Sequence, residues 1–202
     1  MTAPTAEGRR EVGRVEGFSD GVMAVIITIT AFELKVPGGH NLSDLGKDLS
    51  EVLVYVLSFT YIGIYWNNHH HLFKATEKLD GAVMWANLHL LFWLSLVPVL
   101  TGWVAKYYRY HLPASIYGCV FAGAAVAYAI LVRAIVRANG PDSAVARGVG
   151  SDIKGRISIL IYLLAIGLAW VSPWISYALY VTVAVIWFVP DRRFSREPTF
   201  EA

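Results

Sequence analysis

The stretch ISILIYLLAIGLAWVSPWISYALYVTVAVIWFVP, Ile157 to Pro190, runs for 34 residues without an Asp, Glu, Lys or Arg. One bilayer-spanning helix needs about 20 such residues, so this run is too long for one span and long enough for two short ones. Ser172-Pro173 divides it, because proline lacks a backbone N–H and disfavours helical backbone at the residue before it. The stretch therefore predicts a hairpin of spans at about 157–171 and 174–189. Three further charge-free runs lie upstream: Val52–Phe73 (22 residues), Gly81–Ala105 (25) and Leu112–Val132 (21). They predict spans at about 52–71, 81–106 and 113–136. Pro113 suits a first helical turn, and Ser43-Asp44 reads as the cap of a short lead-in to the second span. A first span, about 16–36, is the least clean. Asp20 and Glu33 leave only 12 charge-free residues between them, and Pro37-Gly38-Gly39 closes it. The expectation is an all-α membrane protein of six spans, organised as one unit over residues 1–202.

Composition agrees. The chain is 56% hydrophobic and only 16% charged, with a mean hydropathy of +0.50; soluble domains average roughly 25% charged. This argues against a soluble enzyme, a nucleic-acid-binding domain and a disordered protein. No enzymatic activity, cofactor or nucleic-acid partner is expected. The single cysteine, Cys119, lies in an apolar run, so no intrachain disulfide forms. The first 15 residues are polar and of mixed charge, which does not read as a cleavable signal peptide. Asn139 to Arg156 reads as the longest cytoplasmic loop.

Lys and Arg orient the spans, since they accumulate in short cytoplasmic loops. Six spans put Arg9, Arg10 and Arg14 at the N-terminus on the same side as Lys74 and Lys78, as the Arg133–Arg156 region, and as Arg192, Arg193 and Arg196. Thirteen basic residues then face the cytoplasm against four on the other side, Lys35, Lys47, Lys106 and Arg109. Both termini are expected in the cytoplasm.

Ionisable residues within a span are costly and need partners, which directs attention to the first span, Arg14-Val-Glu-Gly-Phe18-Ser19-Asp20 followed by Gly21 to Glu33. On a helical wheel of about 100° per residue, Thr28, Ile29 and Phe32 lie within about 60° of Val25. Arg14 and Phe18 continue this stripe, whereas Ser19 and Asp20 face elsewhere.

The Arg14-x-x-x-Phe18-Ser19-Asp20 string resembles the signature of the lysosomal potassium channel family, transmembrane protein 175, in its bacterial branch. Trp66-x-x-His69-His70 ends the second span and Trp85-x-Asn87-Leu88-His89-Leu90-Leu91-Phe92-Trp93 leads to Leu96-Val97-Pro98 in the third. Both are similar to the same family, in the same six-helix order. The resemblance implies a homotetrameric cation channel that favours potassium, with the first helix of each subunit lining a central pore and no carbonyl filter loop. It implies a constriction at Val25, Ile29 and Phe32, and a hydroxyl at Thr28 that contacts dehydrating ions. Val25 is smaller than the residue usual at its position in the family, and Phe32 is larger.

The residues support plainer readings as well. Arg14, Ser19 and Asp20 read as a structural knot, with Asp20 paired to Arg14 or a nearby His and Ser19 bonded to backbone. Together with Phe18 they make up the signature that locks the first helix to the second and third through Trp66, His69 or His70, and Asn87. His69, His70 and His71 point about 100° apart on a helix and do not converge on one ion, so no metal is expected. Gly63 reads as a helix-packing contact. Glu33 sits either in the headgroup region or in a ring at the pore mouth. The functional expectation is passive conduction of K+, the permeant ion, through a homotetramer in a bacterial plasma membrane, gated by side chains. The alternative is a proton-conducting or proton-coupled membrane transporter; the lack of a broken mid-membrane helix and of an inverted repeat stands against the coupled carrier, whereas a proton leak through the same pore is compatible with the channel. A third class is a membrane interaction protein that transports nothing.

Overall fold

A computed structural model describes residues 6–35, 39–40, 46, 49–150 and 152–188. Among them the chain forms α1 (Ala6–Phe32), α2 (Leu49–Lys74), α3 (Gly81–Ser95), α4 (Val97–Tyr107), α5 (His111–Asn139), α6 (Ala144–Val149), α7 (Ile153–Leu168) and α8 (Pro173–Phe188). Four helical stretches are long and apolar enough to cross a membrane: Gly8–Phe32, Leu49–Lys74, Gly81–Tyr107 and His111–Asn139. α7 and α8 have 16 residues each. They are about 24 Å long, somewhat short of a hydrocarbon core of about 30 Å.

α3 and α4 form one interrupted stretch, Gly81–Tyr107. Pro98 has no N–H to return to the preceding turn, and the helix is interrupted at Leu96, whose N–H bonds to the Trp93 carbonyl at 3.3 Å. Pro173 opens α8, the position where proline costs least, so the long apolar run does fold back on itself. α7 begins at Ile153 and ends at Leu168, a few residues upstream of the boundaries expected from charge alone. The segment read as a loop contains α6, nucleated by Ser143, whose Oγ accepts from the Ala146 N–H at 3.3 Å, and anchored by buried Val145. Gly140, at φ +93°, and Gly150, at φ +55°, end α5 and α6 in conformations that favour glycine. The Ser43-Asp44 cap, the Pro37-Gly38 closure, Lys47 and the C-terminal arginines lie outside the described residues.

α1 packs on α2, α3 and α4, while α5 is the hub for α3, α4, α7 and α8. The interior is aromatic. Tyr61 stacks on Phe121 at 4.0 Å, with Tyr117, Tyr162 and Tyr180 around them. In lipid each buried polar group must find a partner inside the protein. Tyr61 donates to the Tyr180 carbonyl at 2.6 Å, Tyr180 to the Ala114 carbonyl at 2.9 Å, and Ser176 to the Ala165 carbonyl at 2.6 Å. Ser58 bonds Thr101 at 2.7 Å and Tyr117 at 2.8 Å.

Close helix approach depends on small residues. Gly118 faces Tyr180 and Ile166, and Gly123 lies flat against the Trp93 indole, where an added Cβ would meet ring carbons at 2.5 Å. Gly63, expected at such a contact, faces open space, because a Cβ there would meet nothing within 4 Å among the described residues. Gly123→Val is therefore expected to destabilise the fold by about 1–3 kcal/mol through overpacking, whereas Gly63→Ala should be neutral or stabilising. Thermal unfolding in detergent separates the two outcomes.

Candidate functional site

α1 divides lengthwise. Met23, Ile26 and Thr30 are buried against its neighbours, while Phe18 (57% exposed), Val25 (56%), Ile29 (46%) and Phe32 (81%) stand open in a single chain. Gly21 and Thr28 lie on the same open face. The Thr28 hydroxyl donates to the Ala24 carbonyl at 2.9 Å, so its lone pairs remain available on the open side. Glu33 does not share this face; its carboxylate turns towards α4, into space left by the missing side chain of Gly102. Lys35 meets Glu51 at 2.9 Å and ties the end of α1 to the start of α2.

At the other end a polar network fastens α1 to α2 and α3. Trp66 Nε1 donates to Asp20 Oδ1 at 3.0 Å, and His70 Nδ1 meets Glu16 Oε1 at 2.8 Å. α1 and α2 are antiparallel, so Glu16 and Asp20, one turn apart, face His70 and Trp66, also one turn apart. Behind this pair of rungs runs a buried chain. His69 Nε2 lies 2.8 Å from Asn87 Oδ1, Asn87 Nδ2 donates to Ser19 Oγ at 2.9 Å, and Ser19 Oγ donates to the Val15 carbonyl at 2.9 Å. The directions fix one another. Since Asn87 gives its amide N–H to Ser19, its oxygen accepts, and His69 carries its proton on Nε2. His69 Nδ1 is then an acceptor, and it has no hydrogen-bond partner among the described residues.

Arg14 and Phe18 stand outside this network. Both are exposed, and among the described residues Arg14 makes no ion pair with Asp20. Six residues separate the two, roughly 240° around the helix, which is why the pairing expected from sequence does not form. Asp20 takes an indole N–H instead of a histidine, and the histidine pairs with Glu16. Glu16 was not singled out in the sequence. The available signal was its position one turn before Asp20, on the face that meets α2. Trp66→Phe removes the donor to a half-buried carboxylate; it is expected to cost about 1 kcal/mol, measurable by chemical denaturation, and to leave the fold intact.

A family model described as endosomal/lysosomal potassium channel TMEM175 matches residues 14–98, which take in most of α1, all of α2 and α3, and Pro98. A potassium channel of Chryseobacterium sp. (strain P1-3) is 46% identical over 184 residues, covering 91% of this chain and 96% of the relative. The chain belongs to the TMEM175 family. A second relative, a potassium channel of Streptomyces collinus, is 35% identical over 188 residues, covering 87% of this chain and 90% of the relative. The fold agrees with the crystal structure of a lysosomal potassium-selective channel TMEM175 homolog from Chamaesiphon minutus, with a TM-score of 0.78 at 28% identity, over 89% of this chain and 97% of the other. The chain is thus a membrane protein of an ion-channel family and not an enzyme. The network and the open face of α1 both fall within the matched residues.

Proposed function

We propose that the protein is a passive, potassium-favouring cation channel, a homotetramer in which the open face of α1 from each subunit lines a central pore. The observation that carries this reading is the apolar stripe of α1, exposed along its length and interrupted by Thr28, on a helix otherwise packed against three neighbours. One helix cannot enclose a pore, so the stripe becomes a lining only when copies close around an axis. The two bacterial relatives bear the name potassium channel, which supports the same reading.

Each subunit crosses the bilayer six times, with α3 and α4 counted as one span and α7 and α8 as a short hairpin, in one unit over residues 1–202. Both termini lie in the cytoplasm of a bacterial cell, a reading supported by the distribution of Lys and Arg among the loops. Rings of Val25, Ile29 and Phe32 form a hydrophobic constriction that gates by dewetting. A ring of Thr28 hydroxyls replaces part of an ion's water shell. Losing that shell costs the smaller sodium ion more, which gives potassium the advantage. Arg14 and Phe18 stand at the cytoplasmic mouth, and the Ser19, Asp20, Trp66, His69, His70 and Asn87 network holds the helix in register. No cofactor or metal takes part; K+ is the permeant ion.

Reconstituted vesicles test the proposal. Potassium efflux exceeding sodium efflux, unaffected when the proton gradient is collapsed, supports a channel. Potassium flux that stops when protons are clamped supports the coupled transporter. A strictly monomeric protein with no flux contradicts both.

A further inference from the structure

On the side assigned above to the cytoplasm, the ends of α5, α6 and α7 border a pocket of about 370 Å³ lined by Arg133, Arg137 and Arg156. All three side chains are exposed. Arg137 has Asp80 at a distant 4.0 Å, and among the described residues Arg133 and Arg156 have no counter-ion within salt-bridge range. Asp152 also lines the pocket and leaves a net positive charge. Burial raises its carboxyl above the usual range, the Gly155 N–H and the two neighbouring arginines draw it back, and its side chain occupies the space beside Gly155.

The surface below the pocket is apolar. On α5, Arg133 continues a helical stripe through exposed Ile130 and Val126, spaced three and four residues apart. On α7, Arg156 heads a stripe through exposed Leu160 and Leu164, each four residues on. Positive space with room for a phosphate-bearing headgroup at the membrane surface, directly above two apolar flanks, matches a molecule with an anionic head and acyl tails. A soluble anion would use the arginines but not the flanks.

We propose that the Arg133–Arg137–Arg156 pocket binds the phosphate headgroup of an anionic phospholipid of the cytoplasmic leaflet, with its acyl chains along the α5 and α7 flanks. This goes beyond the pore and rests on the proposed orientation only for the choice of leaflet. Each arginine near a membrane surface contributes roughly five-fold in affinity, so removing two costs roughly twenty-five-fold.

The test is native mass spectrometry of the purified protein titrated with phosphatidylglycerol, phosphatidylcholine or inorganic phosphate. The variants are R133Q/R156Q and, as a charge-matched control, R9Q/R10Q. The expected result is retention of phosphatidylglycerol over phosphatidylcholine, lost in R133Q/R156Q and kept in R9Q/R10Q. Equal retention of both lipids, equal loss in both variants, or retention of phosphate as strong as that of phosphatidylglycerol overturns the proposal. If R133Q/R156Q does not fold, the single substitution R156Q with the same lipid comparison decides. Potassium flux is not used, so failure here leaves the channel reading standing, and a protein that conducts nothing can still bind the lipid.

Discussion

Ile29→Asn should raise potassium flux through reconstituted vesicles by about ten-fold or more, equivalent to about 1.4 kcal/mol or more off the barrier to permeation. Ile29 is half exposed in one chain and sits midway along the open stripe of α1, one residue beyond Thr28. In a four-fold assembly the substitution replaces four aliphatic groups with four amides at one level of the pore. A ring that expels water then holds it, and ions no longer cross a dry gap. Val25→Asn should act in the same direction. The stability cost is small, because Ile29 leaves no cavity in its own subunit. Flux equal to that of the wild type in both variants would remove the constriction from this face.

The second large effect is expected at Asn87, in the opposite sense. Asn87 is fully buried and bonded to both His69 and Ser19, themselves fully buried. Asn87→Leu fits the space but leaves the His69 Nε2–H without an acceptor and the Ser19 oxygen without its donor. Each orphaned buried group costs about 1–3 kcal/mol. That exceeds the roughly 0.6 kcal/mol average worth of a polar contact between membrane helices, because here both partners remain behind. Asn87→Leu is therefore expected to lower the melting temperature markedly and to loosen α1 from α2 and α3. Ser19→Ala, which removes the acceptor but leaves only one amide N–H unpaired, should cost less. Equal melting for both variants would mean that the chain of bonds carries no weight in holding α1.

How far the sequence led depends on which residues are asked about. Charge-free runs located the helices well, because charge in lipid is costly enough to leave a clear mark. Ser172-Pro173 marked the α7–α8 hairpin for a local reason, a missing N–H. Pro98 offered the same signal within the third span, and the helix is interrupted two residues before it, at Leu96. α6 was overlooked because six residues beginning at Ala144 carry no periodic pattern; Ser143 was the sign available. The polar residues of the first span were legible as a group, but not their partners. Asp20 meets Trp66 and Glu16 meets His70 because of the register at which α1 and α2 cross, and no spacing within one helix encodes that register. Glu33 shows the same limit: whether it faces a pore or a neighbour depends on Gly102, 69 positions away, leaving room for it.

The central claim is that the open stripe of α1 lines the conduction path. Cys119 is the only cysteine, so Cys119→Ser provides a background in which one new thiol can be read. Ile29→Cys in that background should conduct potassium and be blocked by silver ion, a thiol-reactive monovalent cation that travels where potassium travels. Leu160→Cys, on the exposed flank of α7, should conduct and resist. Block at position 29 with none at position 160 is the result predicted by a pore built from α1; potassium flux that silver leaves unchanged at Ile29→Cys would contradict it.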